Sequence, residues 1–208
     1  MNAIRILADD LTGALDTAAA FAGEVPVFID RPPVESGGLA TAPVSVVATP
    51  TRDVALEELP GFLWPVLAWL KSGGLAFKKV DSLLRGNSFA EVAWIARAGG
   101  FDLTVFAPAF PAQGRMTYEG QQWVVEPSNL SGLGKPAGIP FAEAFGKFGL
   151  NAGATLPSAS GELDVWAPDI GSDSDLDAVA AVAARDDARS RLWCGSAGLA
   201  HALARCRG

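Results

Sequence analysis

Two adjacent carboxylates, Asp9 and Asp10, follow a short apolar run near the start of the chain and precede Thr12 and Gly13. Carboxylates in this setting can bind substrate hydroxyls, hold a hydrated cation or accept a proton. The structural alternative is that Asp10 or Thr12 caps a helix that begins just after them. Capping accounts for one acid but leaves the second unexplained, so both interpretations of the pair stay open.

A second polar cluster occupies residues 78–87. Alternation along a strand places Lys79 and Asp81 on one face and Lys78 on the other. Lysines inside an apolar strand are costly unless they reach water or a partner. Arg85 is the sharper candidate for a ligand contact, because a guanidinium can clamp a carboxylate or phosphate with two hydrogen bonds. The alternative is an ion pair between Arg85 and Asp81.

The residues just after Arg85 predict the start of a helix. Ser88 and Glu91 have the spacing of a capping box, which predicts a structural role for both side chains. Asn87, immediately before them, is typical of a turn.

The third segment, residues 107–115, contains two prolines. They stiffen a loop that leaves a predicted strand, so Gln113, Gly114 and Arg115 would have little conformational entropy left to lose on binding. The alternative is an ordinary rigid turn that exposes an arginine.

The fourth segment, residues 194–200, joins a strand to a helix N-terminus through small residues. A helix N-terminus favours an anion or a phosphate, although this segment is neither a P-loop nor a dinucleotide-binding fingerprint. Close packing of the strand against the helix is the alternative. His201 lies off the apolar face of the helix and is predicted at the surface. Cys194 and Cys206 are predicted to be buried thiols without the spacing of a metal site.

Composition excludes several classes of protein. The chain has 208 residues and a formal net charge of −7, which provides no electrostatic footprint for nucleic acid. Its 50% hydrophobic and 19% charged residues argue against disorder. One histidine and two cysteines exclude a His-rich zinc site and a disulfide scaffold. No metal site is predicted, and proton transfer must rely mainly on carboxylates or lysines.

The sequence also lacks membrane and export signals. No stretch has the length and hydropathy of a membrane span, and the first residues lack the basic start and long apolar core of a signal peptide. We therefore expect a soluble, cytoplasmic protein with no membrane partner.

The polar segments follow strand-like runs that alternate with helix-like stretches. This alternation predicts an α/β fold with a parallel, doubly wound, Rossmann-like sheet flanked by helices. Sites in such sheets lie beyond the carboxyl ends of the strands, where Asp9 and Asp10 and residues 49–53, 81–85 and 108–115 are expected. The predicted strands start near Ile4, Val25, Val44, Leu75 and Leu103, and the predicted helices cover residues 13–22, 62–71 and 88–97.

The later part of the chain begins with a different composition. Residues 127–161 are rich in Gly, Pro, Ser and Asn, which predicts a loop-rich excursion, interpreted as a mobile lid. A strand at 163–167 follows, and then a helix capped by Ser172 or Asp173 that extends to about Arg189. A last strand at 191–194 and a last helix at 197–206 complete the pattern.

Taken together and in this order, the four polar segments resemble the four-carbon acid sugar kinase family, in its N-terminal, substrate-binding domain. Leu15 and Leu83 stand where the resemblance implies polar residues, and residues 49–53 match it only loosely. The matching segments are Ala8-Asp9-Asp10-Leu11-Thr12-Gly13-Ala14, Lys78-Lys79-Val80-Asp81-Ser82 with Leu84-Arg85-Gly86-Asn87, Pro108-Ala109-Phe110-Pro111-Ala112-Gln113-Gly114-Arg115 and Gly195-Ser196-Ala197-Gly198-Leu199-Ala200.

The resemblance implies phosphorylation of a four-carbon acid sugar, such as threonate, erythronate or an oxo-tetronate, by ATP with Mg²⁺. It implies that Arg85 and Arg115 pair with the substrate carboxylate and that Ser196 contacts a nucleotide phosphate. One of three aspartates would orient or deprotonate the attacking hydroxyl. These catalytic candidates are Asp9, Asp10 and Asp81, and the further substrate-binding candidates are Lys79, Ser82, Gln113 and Gly114.

In the family this resemblance implies, a C-terminal domain supplies most of the nucleotide site. We therefore expect residues 1–208 to form a single sugar-acid-binding domain without that nucleotide-binding domain, inactive as a kinase by itself. One hypothesis is the substrate-binding half of the kinase, completed by a missing C-terminal domain, by a separate nucleotide-binding chain or within a homo-oligomer. The alternative hypothesis is a non-catalytic acid-sugar-binding module. In both, the partner is a small sugar acid and not a nucleic acid.

Overall fold

Strands and helices alternate along the chain in the computed structural model, which describes residues 3–33, 42–125, 134–158, 162–184 and 190–206. The strands are β1 (Ile4–Ala8), β2 (Val27–Ile29), β3 (Val44–Ala48), β4 (Leu75–Lys79), β5 (Leu103–Ala107), β6 (Arg115–Tyr118), β7 (Gln121–Val124), β8 (Lys135–Pro136), β9 (Ala152–Gly153), β10 (Val165–Trp166) and β11 (Arg191–Gly195). The helices are α1 (Leu11–Ala18), α2 (Leu59–Ser72), α3 (Ser88–Gly99), α4 (Phe141–Gly146), α5 (Asp173–Ala181) and α6 (Ala197–Arg205).

Eight of these strands form one parallel sheet in the order β2–β3–β1–β4–β11–β5–β10–β9. The central strands are buried along their whole length, as expected for apolar runs covered on both faces. Helices α1, α5 and α6 contribute to the apolar cluster on one face, and α2, α3 and α4 to the cluster on the other. The predicted doubly wound α/β fold is therefore confirmed.

The excursion is more structured than its composition predicts. Within residues 134–158, β8 extends a small antiparallel sheet with β6 and β7, and β9 joins the main sheet beside β10. In α4, Phe141 and Phe145 are one turn apart and pack edge-on against Phe106, with ring centroids 5.1 and 5.0 Å away. The two rings fix α4 in the core, so this part of the excursion is anchored, and the mobile lid stays a prediction. Residues 127–133 and 159–161 lie outside the described ranges.

The later helix starts as predicted but has a different end. Ser172 is the N-cap of α5, and its hydroxyl accepts a hydrogen bond from the Asp175 N–H. The α-helix ends at Ala181 and continues as a 3-10 turn over Val182–Ala184. Residues 185–189, which were predicted to complete this helix, are outside the described part of the chain.

The topology brings distant segments to one edge. Strands β3, β1, β4, β11 and β5 are consecutive neighbours, so their carboxyl ends form a continuous edge of the sheet. The chain crosses from one side of β1 to the other between β3 and β4, which creates the switch point where α/β sheets open a crevice. In the part of the chain that the structure describes, no helix combines the length and apolar character that crossing a bilayer requires.

Candidate functional site

A cleft with a cavity volume of about 150 Å³ lies at this carboxyl edge. It collects residues that follow five different strands, so the convergence predicted from the parallel topology is observed. Eight of the predicted site residues line it; Asp9 and Gly114 are not in its lining. These eight residues are Asp10, Lys79, Asp81, Ser82, Arg85, Gln113, Arg115 and Ser196.

Arg52 holds the two aspartates that follow β1. Its Nε and Nη2 donate to the two oxygens of Asp9 at 3.0 and 3.1 Å, and its Nη1 donates to Asp10 Oδ2 at 2.8 Å. The other oxygen of Asp10 accepts the Gly13 N–H at 2.8 Å and caps α1. One oxygen of Asp10 thus caps α1, while Arg52 binds the other oxygen of Asp10 and both oxygens of Asp9.

Sequence analysis did not select Arg52 as a site residue. The signal was its position just after β3, at an edge where the parallel topology predicts function. Its partners could not be read from local spacing, because Asp9 and Asp10 are 43 and 42 residues away. Arg52 lines the cleft beside Asp10, whereas Asp9 lies behind it and is only 1% exposed.

Nearby positive charges keep Asp9 ionised although it is buried. Burial opposes its ionisation, but Lys78, Arg52 and Lys79 outweigh this effect and hold the pKa of Asp9 below its ordinary value. The same contacts outweigh the burial of Arg52 and raise the pKa of its guanidinium. Asp9 is thus an ionised carboxylate with both oxygens engaged in positioning Arg52.

Asp81 and Arg85 form the second ion pair of the cleft. Arg85 Nε and Nη2 donate to the two oxygens of Asp81, each at 2.8 Å, so the predicted structural alternative for Arg85 is present. Asp81 Oδ2 also accepts the backbone N–H groups of Leu83 and Arg85. Leu84 between them has a φ of 59°, a left-handed conformation that is costly for a bulky residue. The Asp81 carboxylate stabilises this unusual turn.

These contacts change the acidity of Asp81. Burial raises its pKa, but hydrogen bonds from Arg85 and the charges of Arg85 and Arg52 outweigh burial and lower it to about 2. Arg85 remains 63% exposed at the rim. Its guanidinium therefore keeps access to a ligand while it is paired.

Lys79 occupies the floor of the cleft. The side chain is buried, and its Nζ donates to the Val80 carbonyl at 2.8 Å. Burial lowers the pKa of Lys79, although the charges of Asp9, Asp10 and Asp81 partly offset this. A Cβ on Gly13 would lie 3.1 Å from Lys79 Nζ and 2.6 Å from Asp10 Oδ1, so this close approach requires glycine.

The opposite face of β4 corrects one sequence prediction. Lys78 Nζ lies 2.8 Å from Glu91 Oε2, and both side chains are fully buried. Glu91 therefore does not form a capping box with Ser88, whose hydroxyl donates to the Arg85 carbonyl instead. The physical reason is that the buried Lys78 ammonium requires a carboxylate more than the helix end does. Asn87 occupies the N-cap position of α3.

The loop after β5 carries the remaining cation of the cleft, Arg115. Arg115 Nη1 donates to Gln113 Oε1, and within the described ranges no carboxylate forms an ion pair with Arg115. Gly114 between them has a φ of 70°, and a Cβ there would lie 2.5 Å from the Val125 carbonyl oxygen. Gly114 thus shapes the loop, while Arg115 has no carboxylate partner in the described part of the chain.

Gln122, in β7, is a second residue that sequence analysis missed. It is fully buried, its Nε2 donates to the carbonyls of Ser82 at 2.8 Å and Pro108 at 3.5 Å, and its Oε1 accepts the Thr117 hydroxyl at 3.0 Å. The small antiparallel sheet is therefore tied to two loops of the cleft through one side chain. Polar residues alternate in many exposed strands, so no sequence signal distinguished Gln122.

Ser196 lies where α6 begins. Its hydroxyl donates to the Ala109 carbonyl at 2.6 Å and accepts the Gly198 N–H at 3.1 Å. The cap and the link to the third loop thus engage its hydroxyl within the protein. His201 on α6 is half-buried, with its ring centroid 6.3 Å from that of Phe110.

The two cysteines differ. Cys194 is buried as predicted, and burial raises its pKa despite the opposing charge of Lys78. Cys206 is exposed, which contradicts the prediction of two buried thiols. The reason is its place at the C-cap of α6, past the apolar face of the helix.

Fold and cleft together define a doubly wound α/β domain with a densely charged crevice at its switch point. Residues 4–144 match the family of sugar-binding N-terminal domains. Because this match covers more than half of the chain, the protein belongs to that family.

Its curated relatives confirm the resemblance inferred from the motifs, since they are four-carbon acid sugar kinases. The chain is 32% identical to a D-threonate kinase from Cupriavidus necator over 96% of this chain and 53% of that protein. Identity to a D-threonate kinase from Salmonella typhimurium is 31% over 95% of this chain and 52% of the relative. A 3-oxo-tetronate kinase from Escherichia coli is 30% identical over 60% of this chain and 34% of that protein. The chain spans about half the length of the first two relatives.

Solved structures share the fold. A domain of unknown function from Bordetella bronchiseptica, solved with bound citrate as a domain-swapped dimer, has a TM-score of 0.75 and 25% identity over 97% of this chain and 55% of its own. A Haemophilus influenzae protein has a TM-score of 0.75 over 98% of this chain and 56% of its own. Because the two sequences are only 19% identical, this likeness shows the fold alone.

Proposed function

We propose that this chain binds a four-carbon acid sugar in the cleft at the carboxyl edge of its sheet and acts as the substrate-binding half of an ATP-dependent sugar-acid kinase. The observation that carries the proposal is the convergence of Arg115, which has no carboxylate partner among the described residues, partly exposed Arg85 and the carboxylates Asp10 and Asp81 on one crevice. An acid sugar presents one carboxylate and several hydroxyls, which match such cations and carboxylates respectively.

The three arginines of the cleft differ in their side-chain partners. Arg52 and Arg85 are held by aspartates, whereas Arg115 has only Gln113 as a polar side-chain partner among the described residues. Arg115 is therefore our main candidate for the substrate carboxylate, with Arg85 at the rim as the second. Citrate, found in the Bordetella bronchiseptica relative, carries the same two kinds of group, carboxylate and hydroxyl.

The aspartates also separate by position. Asp9 lies behind Arg52 and outside the lining of the cleft, so we assign it a positioning role. Asp10 and Asp81 line the cleft, and we propose that one of them orients the attacking hydroxyl of the sugar. Phosphoryl transfer depends mainly on such positioning and on charge stabilisation.

ATP and Mg²⁺ are the cosubstrate and cation implied by the kinase relatives. Within the described ranges, no group of three or more His, Cys, Asp or Glu side chains could hold a metal by itself. Mg²⁺ commonly binds through one or two carboxylates and substrate phosphates. We therefore propose that Mg²⁺ arrives with ATP, that a separate nucleotide-binding chain or segment provides most contacts to ATP, and that Ser196 and the α6 N-terminus border the phosphate.

One observation favours the second candidate function, a non-catalytic acid-sugar-binding module. Leu83 lines the cleft, and Leu15 is 52% exposed on α1, although the resemblance implies polar residues at both positions. Binding without phosphorylation, even after a nucleotide-binding partner is supplied, would select this candidate.

Calorimetry with D-threonate and D-erythronate tests the binding proposal. A charge-assisted hydrogen bond contributes about 1.5–3 kcal/mol, so Arg115→Ala and Arg85→Ala should each weaken binding roughly ten- to a hundredfold. Arg85→Lys should recover only part of the loss, because lysine keeps the charge without the fork.

Arg97→Ala is the matched control for these variants. Arg97 is exposed on α3, and its guanidinium donates to the Gly149 carbonyl, so its removal should leave affinity unchanged. Equal affinities for wild type and Arg85→Ala would make Arg85 a structural ion-pair residue. A wild-type chain that binds neither acid, with or without Mg-ATP, would contradict the proposed function.

A further inference from the structure

The buried pair Lys78–Glu91 is the only fully buried ion pair among the described residues, and it lies outside the cleft. Lys78 is in β4 and Glu91 is in α3, and their side chains meet beneath the apolar layer formed by α2, α3 and α4. Glu91 Oε1 has no hydrogen-bond partner among the described residues. Buried ion pairs with incomplete hydrogen bonding contribute little stability compared with apolar side chains of similar size. Stability alone therefore does not explain this pair.

The pair is connected to the loop that carries Arg52. Glu91 Oε2 accepts the Thr51 hydroxyl at 2.8 Å, and the hydroxyls of Thr51 and Thr49 are 3.0 Å apart. Thr49 in turn donates to the Ala8 carbonyl at 3.0 Å, at the end of β1. Thr51 and Thr49 give their single protons to Glu91 and Ala8, so their hydroxyls meet in a polar contact without a hydrogen bond of its own. Polar contacts thus lead from the buried pair to the end of β1, the strand that precedes Asp9.

Asn87, the N-cap of α3, binds the same loop at a second point. Asn87 Nδ2 donates to the carbonyls of Thr51 and Val54 at 2.9 and 2.8 Å. Between these two anchors lies Arg52, whose own N–H donates to the Asp9 carbonyl at 3.3 Å. The backbone on both sides of Arg52 is therefore fixed from α3.

We propose that the buried Lys78–Glu91 pair is a positioning device that fixes the Thr49–Asp53 loop through Thr51 and so holds the Arg52 guanidinium across Asp9 and Asp10 at the cleft. Lys78 orients the Glu91 carboxylate, and Glu91 presents the acceptor that Thr51 needs. The effect on ligand affinity rests on the proposed function, whereas the effect on the loop does not.

Two variants separate positioning from stability. Lys78→Met/Glu91→Met replaces both charges with apolar side chains of similar length, so its thermal midpoint should stay close to that of wild type. Thr51→Val keeps the pair and removes only its link to the loop. Thr104→Val is the matched control, because Thr104 is an equally buried threonine in β5 without a link to this loop.

The ligand-independent measurement is amide hydrogen exchange. We expect the Arg52 amide to exchange at least tenfold faster in both test variants, while amides of β11 keep their wild-type rates. Unchanged Arg52 exchange in Thr51→Val and in the double variant would overturn the proposal. If the double variant does not fold, Thr51→Val alone decides.

The second measurement is affinity for D-threonate by calorimetry. Both test variants should bind at least fivefold more weakly than wild type and than Thr104→Val. A double variant with wild-type affinity and wild-type Arg52 exchange would make the pair merely structural. If the wild-type protein binds no acid sugar but Arg52 exchange is accelerated in the variants, the proposed function is contradicted and the positioning role still holds.

Discussion

Asp81 accepts four hydrogen bonds from one short turn, two from the Arg85 side chain and two from backbone N–H groups. All four favour the ionised carboxylate, which is why its pKa falls to about 2 although burial acts in the opposite direction. An unfolded chain loses these contacts, and its Asp81 takes up a proton near pH 4.

This difference predicts part of the acid sensitivity of the protein. The native carboxylate keeps its charge down to about pH 2, so falling pH lowers the free energy of unfolding between about pH 4 and pH 2. Asp81→Asn removes the titrating group and should make the decline in this window less steep. Urea unfolding at several pH values measures it, and identical slopes for both proteins would refute the expectation.

The thiols offer a simple test at the same scale. Cys206 is exposed, whereas Cys194 is buried with a raised pKa, and only a thiolate attacks a disulfide reagent. Native protein should therefore show one fast-reacting thiol with an aromatic disulfide reagent, and the second only after denaturation. Cys206→Ser should abolish the fast phase. Rapid reaction of two thiols in the native protein would contradict the burial of Cys194.

At the scale of elements, β7 connects the small sheet to the cleft. Gln122 donates to carbonyls in the loops after β4 and β5, so its amide sets the distance between Ser82 and Pro108. Those loops carry Arg85 and Arg115, the two proposed contacts to the substrate carboxylate. The small sheet is therefore a brace for the cleft as well as an extension of the fold.

Gln122→Met tests this brace. Methionine fills the space but leaves the Ser82 carbonyl and the Thr117 hydroxyl without their partner, which should lower the free energy of unfolding by about 1–3 kcal/mol. Affinity for D-threonate should fall with it. Gln121→Met is the matched control, because Gln121 makes one exposed hydrogen bond to the Gly138 carbonyl. Equal effects of the two substitutions in urea unfolding and calorimetry would contradict the role of Gln122.

At the scale of the whole molecule, the parallel fold and the position of the cleft could be predicted from the sequence. The apolar runs that become β1, β4 and β5 are long enough to be buried on both faces, and polar residues follow each run. Parallel strands leave their carboxyl ends at one edge, so convergence follows from topology without knowledge of the side-chain contacts.

The contacts that organise the cleft could not be predicted in the same way. Arg52 reaches Asp9 and Asp10 across more than 40 residues, and no local spacing encodes such a pairing. Glu91 has the local spacing of a helix cap, but Lys78 on β4, the preceding strand, pairs with it instead. Tertiary charge pairing decided both contacts, and for Glu91 it overrode a local preference.

The place of β11 in the sheet has a consequence for how the chain acquires its structure. Of the strands described, β11 is the last in sequence, yet it inserts between β4 and β5 in the middle of the sheet. During synthesis, β4 and β5 therefore lack their shared native neighbour until β11 leaves the ribosome, and unpaired strand edges favour aggregation. The crevice forms just as late, because Ser196 follows β11 directly. A nascent chain halted before residue 191 would hold every aspartate of the cleft but would lack the central strand of the sheet that aligns them.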